Sequence, residues 1–225
     1  MSDEFPEYHK INSLFKRDER NRFMIGEWST PELGFLADCP WQWTEKVDGT
    51  NIRLLLQMDA DGVNWTEYRG RTDNAQFSKP LIDALESIIN DSAFQDRAVK
   101  TFIGDQGGTG PADVILFGEG YGAGIQKGGA YRDTPGFILF DVLIDGQWWM
   151  TPENMRNIGG NLGLDVVPFV GEFSIHDAIE LVQSIGFKSE WDGVQPEGLV
   201  GVPSAPLFDR RKRRIVTKVK VKDFQ

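Results

Sequence analysis

The segment "TEKVDGTN", Thr44 to Asn51, sets a lysine two residues ahead of an aspartate and three ahead of a glycine. The chain turns apolar directly after it, in "IRLLLQM". At the mouth of a buried strand, Lys46 is either a solvated charge or an amine held against a phosphate. The residues that would decide between the two are spread along the chain. Arg69 and Arg71 stand in "RGRTDNAQF", Glu119 in "FGEGYG", Phe140 and Asp141 in "FILFDV", Glu197 in "EGLV", and Lys218 and Lys220 in "KVKVK". The last two alternate with Val219, so on a strand both ammonium groups point to one face. That face would hold fixed positive charge over bound phosphate. The competing reading makes it the solvent side of an edge strand, where lysines oppose aggregation.

Strands and helices must position these residues. "WQWTEKVDGTNIRLLLQM", Trp41 to Met58, reads as one strand entering a hairpin, with Asp61-Gly62 as the turn and the return running through Arg71. Pro80 to Asn90 places Leu81, Leu85, Ile88 and Ile89 on one face behind a proline start, which predicts a helix. Val99 to Phe102 reads as part of a second, short one. "DVILFGEGYG" is a buried strand running into a glycine-rich turn that carries Glu119. "GFILFDVLIDGQWWM" is a hairpin turning at Asp145-Gly146. "TPENMRNIGGNLG" and "SIHDAIELVQSIG" open on Thr and Ser caps and close on glycine, as helices do. "GLVGVP" and "RIVTKVKVKDF" close the chain as strands. The N-terminal stretch to Arg22 has no clean period and is read as wrapping the surface. Hairpins dominate and helices come in separate blocks, so the fold class is α+β, with mainly antiparallel sheets flanked by helices. No repeat, linker or low-complexity tract interrupts residues 1–225, which read as a single domain.

The totals fit that picture. The chain has 40% hydrophobic residues, 12% aromatics and seven tryptophans, enough for a sizeable core. One cysteine, Cys39, excludes an internal disulfide framework and a Cys-rich zinc site. No secretory signal or membrane-length apolar run is present, which points to a reducing, cytoplasmic setting and no membrane partner. A net charge of −10 argues against a nucleic-acid partner, but the distribution does not. The strip Asp209 to Gln225 holds eight of the 24 basic residues and two of the 34 acidic ones. Such a strip either grips phosphates or is a solvated tail. His9 and His176 are isolated and carry no assigned role.

Taken in order, these motifs resemble the ATP-dependent RNA ligases of the RNA ligase 2-like type. That family lies within the covalent nucleotidyltransferase superfamily, which also holds DNA ligases and mRNA capping enzymes. The resemblance runs from about Lys10 to the C-terminus, and "TEKVDGTN", "GRTDNAQF" and "FGEGYG" look especially like short phage-type members. It implies a nucleotidyltransferase (adenylation) domain in which Lys46 attacks the α-phosphate of ATP and becomes lysyl-AMP. A lysine with its ordinary pKa of about 10.4 is protonated at neutral pH, so it needs desolvation and neighbouring cations. Lys218 and Lys220 would supply those cations and hold the triphosphate.

The resemblance implies the other roles too. Glu45, Asp48, Gly49, Asn51 and Arg53 belong with nucleotide binding around the lysine, Asp48 as a hydrogen-bond partner or metal support and Gly49 as room for the phosphate. A turn residue and a structural arginine are the plain readings of Asp48 and Arg53. Arg71 holds phosphate with a bidentate guanidinium, and Arg69 is a strand-surface charge or its assistant. Glu119 binds ribose hydroxyls, Phe140 in preference to Phe137 stacks on adenine, and Glu197 supports Mg2+, with Mn2+ as the alternative ion.

The expected activity is RNA ligation: AMP passes from Lys46 to a 5′-phosphate, and a 3′-hydroxyl then displaces it. The partner would be RNA with those ends, a nicked duplex among the forms. If the chain is phage-encoded, the host cytoplasm is the place. Longer members continue into a C-terminal domain after the lysine pair, whereas here only "VKDFQ" follows Lys220. End recognition would then fall to the catalytic domain, with the strip Arg210 to Arg214, or to an unknown protein partner. The rival readings are a DNA ligase, a capping-type guanylyltransferase, and a non-catalytic nucleic-acid binding module on the same fold.

Overall fold

Ile52 to Leu56 are buried in succession, so the strand that carries them is covered on both faces. A computed structural model describes residues 6–59, 62–104, 110–111, 113–126 and 131–225. In chain order the elements are β1 (Asn12–Ser13), β2 (Phe15–Arg17), β3 (Phe23–Trp28), α1 (Pro31–Phe35), β4 (Trp41–Glu45), β5 (Thr50–Asp59) and β6 (Gly62–Gly70). They continue with α2 (Lys79–Ile89), α3 (Ser92–Phe102), β7 (Asp113–Tyr121), β8 (Gly136–Ile144), β9 (Trp148–Trp149), α4 (Pro152–Leu162) and β10 (Asp165–Val166). The last are β11 (Phe169–Phe173), α5 (Ile175–Gln183), β12 (Gly198–Pro203), β13 (Thr217–Lys220) and a 3-10 turn, Val221–Phe224. They form two units, one of residues 6–8 and 48–166, the other of residues 9–47 and 167–225.

The first unit is a sheet in the order β10-β8-β7-β5-β6, with β9 added on β8, antiparallel except for the short β10–β8 pair. Helix α2 turns Leu81, Leu85 and Ile89 inward. Helix α3 begins well before the expected Val99, because Asp91 caps it by accepting the amides of Ala93 and Phe94. Helix α4 has its Thr151 cap and ends on left-handed Gly163, and the β8–β9 hairpin turns at Asp145 and Gly146 with both φ positive, as expected. The β5–β6 hairpin pairs as far as Asp59 and Gly62, while the anticipated turn residue Asp61 lies outside the described residues. Arg53, 0% exposed, donates from Nε to the Gly70 carbonyl at 2.8 Å and pairs with Asp73 at 2.7 Å. It therefore ties β5 to the segment that follows β6. Across β7 and β8 the register slips where Phe117 and Gly118 face Asp141 and Leu139, leaving Phe140 as the extra residue of a bulge.

The second unit is a five-stranded sheet, β1-β13-β12-β4-β11, beside the β2–β3 hairpin. Trp41 and Trp43, both 0% exposed, share its core with Leu14, Ile175, Leu199 and Val219. Trp43 donates its indole N–H to the Phe173 carbonyl at 3.0 Å. Helix α5 is fixed by a reciprocal cap between Ser174 and Asp177.

Three expectations need correction. The strand predicted from Trp41 to Met58 is two strands in different sheets, β4 and β5. The break is physical: the Asp48 amide donates to the Tyr131 hydroxyl at 2.9 Å rather than to a neighbouring strand. A side chain at Gly49 would come within 2.6 Å of the Gly120 carbonyl. The C-terminal strand stops at Lys220, where the 3-10 turn starts and the Val221 amide bonds to the Glu197 carbonyl at 3.0 Å. The N-terminal stretch does more than wrap, since β1 joins the sheet and Leu14 and Phe15 are buried in its core. No helix among the described residues is long and apolar enough to cross a membrane.

Arg53→Met should cost about 2 kcal/mol, because it strands the buried Gly70 carbonyl while Asp73, largely exposed, rehydrates. Arg53→Lys should recover little of that, since one ammonium cannot reproduce the fork. Urea denaturation of the three proteins checks this, and a midpoint unmoved by Arg53→Met would show that the tie carries no stability.

Candidate functional site

The lysine cluster is assembled inside the second unit by three neighbouring strands. The Lys46 amide continues the β4–β12 ladder by donating to the Gly198 carbonyl at 2.9 Å, and Gly198 pairs in register with Lys220. Gly198 sits at φ 152°, and its Cα faces the Val219 carbonyl so closely that no side chain fits. Glu197, one residue earlier, thereby enters the space between the strand ends. Its Oε2 accepts from the Lys46 amine at 2.7 Å and its Oε1 from Lys220. Lys218 lies two residues before Lys220 and shares its half-buried face, as the alternation with Val219 predicted.

The electrostatics of this cluster are unbalanced. Burial pushes the Glu197 carboxyl up, but the charge of Lys46 and the hydrogen bonds from Lys220 and Lys46 outweigh it and hold the group below the usual carboxylate range. Lys218 shows the reverse balance. Burial pushes its amine down, Lys220 and Lys46 push it further, Glu197 opposes them weakly, and Lys10 adds to the fall. The sequence led us to expect that Lys218 and Lys220 would act on Lys46. What the structure displays is Glu197 paired to both Lys46 and Lys220, with Lys218 carrying the depressed amine. Three ammonium groups, those of Lys46, Lys218 and Lys220, against one carboxylate make a site for an anion with several charges.

Glu45 has its carboxylate engaged within the protein. It is buried, and its carboxylate accepts from the Ser189 hydroxyl at 2.6 Å and the Glu190 amide at 3.0 Å. Its side chain positions the 189–191 segment. Arg53 likewise is a buried tie whose guanidinium serves Gly70 and Asp73.

In the first unit, Asn51 and Glu119 stand opposite each other across β5 and β7, so their side chains leave the same face. The glycine-rich turn expected around Glu119 is regular strand, and Gly118 and Gly120 flank it within β7. The Asn51 Oδ1 is buried and accepts no hydrogen bond from any described residue. Gly49 lies against Glu119 and Gly120, and Tyr131, which the sequence reading missed, holds the Asp48 amide. Arg71 is exposed after β6, whereas Arg69 is engaged by Glu67 and Asp73. Phe140 is half-buried at the bulge with the Tyr8 ring edge-on at 5.0 Å, and Tyr8 donates to Asp141 at 2.9 Å. Phe137, the alternative, is buried. Nothing local in the sequence marks Tyr8, Tyr131 or Lys10 as partners of residues so far along the chain. Among the described residues no group of three or more His, Cys, Asp or Glu is placed to hold a metal.

A family model for RNA ligase matches residues 39–220, from just before β4 to Lys220 itself. This chain belongs to the RNA ligase family. The resemblance read from the motifs holds at that level. Three solved structures of the Naegleria gruberi RNA ligase show the same fold. One variant with AMP and Mn has a TM-score of 0.62 at 15% identity, covering 97% of this chain and 58% of that one. Another, with ATP and Mn, gives 0.61 at 15%, covering 98% and 62%. A third, without ligand, gives 0.59 at 16%, covering 95% and 57%. This chain therefore spans about three-fifths of the length of those ligases. A comparison with curated protein sequences returned no match. The expected α+β class with mainly antiparallel sheets is the one found.

The fold holds the Lys218 amine below its ordinary pKa, so carrying its charge is a cost to the fold. Between the two pKa values the unfolded chain binds more protons, so wild-type stability rises with pH there. Lys218→Met should therefore raise the thermal midpoint at pH 7. The gain should shrink as pH climbs toward about 10.4, where the unfolded lysine loses its proton. Thermal melts of both proteins across that range decide it, and a variant never more stable than wild type would refute the imbalance.

Proposed function

We propose that the chain is an ATP-dependent RNA ligase that joins 5′-phosphate and 3′-hydroxyl ends through lysyl-AMP. The observation that carries this reading is Lys46 held by Glu197 beside Lys218 and Lys220, in a chain of the RNA ligase family. A triphosphate is the kind of polyanion that such a surplus of ammonium groups selects. The Naegleria ligase structures with ATP or AMP and Mn are consistent with the same ligands here.

In the first step the Lys46 amine attacks the α-phosphorus, a P–N bond forms, the P–O bond to the β-phosphate breaks and pyrophosphate leaves. The amine must first give up a proton. Glu197 accepts a hydrogen bond from that amine, so the carboxylate has to be drawn off before attack. Lys220 already holds its other oxygen and Lys218 adds repulsion, both working toward release. A divalent cation would sit against Glu197 and neutralise charge building on the phosphates, a sparse one-carboxylate setting that suits Mg2+ or Mn2+. A 5′-phosphate oxygen then attacks the same phosphorus and frees Lys46, and a 3′-hydroxyl attacks the 5′-phosphate and releases AMP. Positioning and electrostatics supply most of such chemistry, which fits a cluster with no histidine base.

We assign the nucleoside to residues of the first unit: Glu119 and Asn51 to the ribose, the exposed face of Phe140 to adenine, Arg71 to phosphate and Asp48 to supporting the metal. The buried, unpartnered Asn51 Oδ1 is the kind of acceptor a hydroxyl would satisfy. A cytoplasmic setting accords with the free, exposed Cys39.

The test is transfer of label from ATP carrying it at the α-phosphate. The wild-type chain should take up acid-labile label with Mg2+ or Mn2+, Lys46→Ala should take up none, and Glu119→Ala at least tenfold less. GTP in the same assay addresses a capping-type enzyme. A wild-type chain that stays unlabelled, with prior adenylylation excluded by intact mass, would end the ligase reading.

A further inference from the structure

The second unit builds one turn twice. In Asp18–Arg22 and again in Asp209–Arg213, the aspartate Oδ1 accepts the amides of the residues two and four places on. The distances are 3.0 and 2.8 Å in the first turn and 2.8 and 2.9 Å in the second. In both, Oδ2 accepts Nε of the arginine in fifth place at 2.8 Å. In both, the aspartate amide closes onto that arginine's carbonyl, at 3.0 and 2.8 Å. The fourth residue is left-handed in each, Asn21 at φ 61° and Lys212 at φ 60°. The aspartate and the last arginine are thus what the turn itself requires.

The tips differ. The first turn carries Glu19, Arg20 and Asn21, the second Arg210, Arg211 and Lys212. Asparagine suits a left-handed backbone and lysine does not, so Lys212 stands at a conformational cost that the sister turn avoids. Turn geometry therefore explains neither Arg210 nor Lys212. All three cations are exposed, and none has an ion-pair or side-chain hydrogen-bond partner among the described residues. Solubility does not call for them either, in a chain of net charge −10. Phe208, 48% exposed, is held beside the tip by its bridge to Arg214.

The tip also has a route to the lysine cluster inside the same unit. At its base lies a groove of about 290 Å³ lined by Lys10, Asn12, Glu32, Asp209, Arg213 and Arg214. Lys10 is near enough to Lys218 for its charge to be felt there. From Lys212 to Lys218 the chain can span at most about 20 Å, the length of about six stacked nucleotides at 3.4 Å per phosphate.

We propose that the Phe208–Arg214 turn is a grip for the phosphodiester backbone of an RNA strand whose end lies at Lys218: Arg210, Arg211 and Lys212 each pair with a phosphate, and Phe208 offers a ring to a base. The grip rests on the ligase reading for the identity of the strand. Its chemistry, spaced cations with an aromatic, is that of single-strand binding.

The test measures anisotropy of a short, labelled 5′-phosphorylated RNA with the full chain, from about 0.05 to about 0.2 M salt. Arg210→Ser, Arg211→Ser and Lys212→Asn together should weaken binding at least tenfold. They should also flatten the slope of log affinity against log salt by about 2, three phosphates at about 0.7 each. Lys79→Gln, Lys100→Gln and Lys188→Gln together remove the same charge elsewhere and should keep the wild-type slope. Lys212→Asn alone should raise the thermal midpoint while lowering RNA affinity, a pair of opposite signs that a merely structural lysine would not produce. Wild-type affinity and slope in the triple tip variant would overturn the grip, as would an equal loss in the charge-matched control. Failure of the wild-type chain to take label from ATP while the tip variant still loses RNA would reject the ligase reading and support the grip.

Discussion

Glu197 shared between Lys46 and Lys220 is the interaction on which the rest of the second unit turns. One carboxylate among three ammonium groups, those of Lys46, Lys218 and Lys220, can be kept only if the backbone delivers all of them to the same place and holds them there. The sheet does so with adjacent strands: β4 ends just before Lys46, β12 begins just after Glu197, and β13 carries Lys218 and Lys220. Gly198 makes the approach of β12 to β13 close enough for this, where any side chain would push them apart. The double tryptophan on β4 and the capped α5 supply the packing that keeps the ladder in register.

The first unit solves a different problem, that of presenting polar side chains from a sheet whose central strand, β5, is buried on both faces. It breaks regularity where it needs to. Phe140 is half-exposed because it is the extra residue of a bulge, and Tyr8 fixes that bulge by bonding Asp141 and packing against the ring. Asp48 and Gly49 stay out of the strand because Tyr131 claims the amide and Gly120 claims the space. Polar residues on this unit are therefore of two kinds. Arg53 is consumed by structure, while Asn51 and Arg71 keep capacity for something else.

How far these features were legible follows from their range in sequence. The common face of Lys218 and Lys220 was readable because strand alternation is local. The helix caps Thr151 and Ser174 were readable for the same reason. The same alternation would have placed Glu45 on the buried face of β4 with Trp41 and Trp43, but its position beside Lys46 suggested a ligand role instead. Arg53 was hidden because β5 is buried on both faces, so its pattern does not separate inward from outward residues. Glu197 was found as a motif, yet its double pairing was not, since Lys46 lies 151 residues away. The split of the motif strand depended on Tyr131, 83 residues beyond Asp48, and no local signal announces such a partner.

The unpaired charge of Lys218 has one more consequence, for how long the protein lasts. A fold that carries a repulsive cluster is least secure when empty and gains stability from any polyanion it holds, by RT ln(1 + [L]/Kd). The β12–β13 pair cannot open to relieve that repulsion without also parting Glu197 from Lys220, so only a bound anion can answer it. The empty chain is thus the form least protected against unfolding.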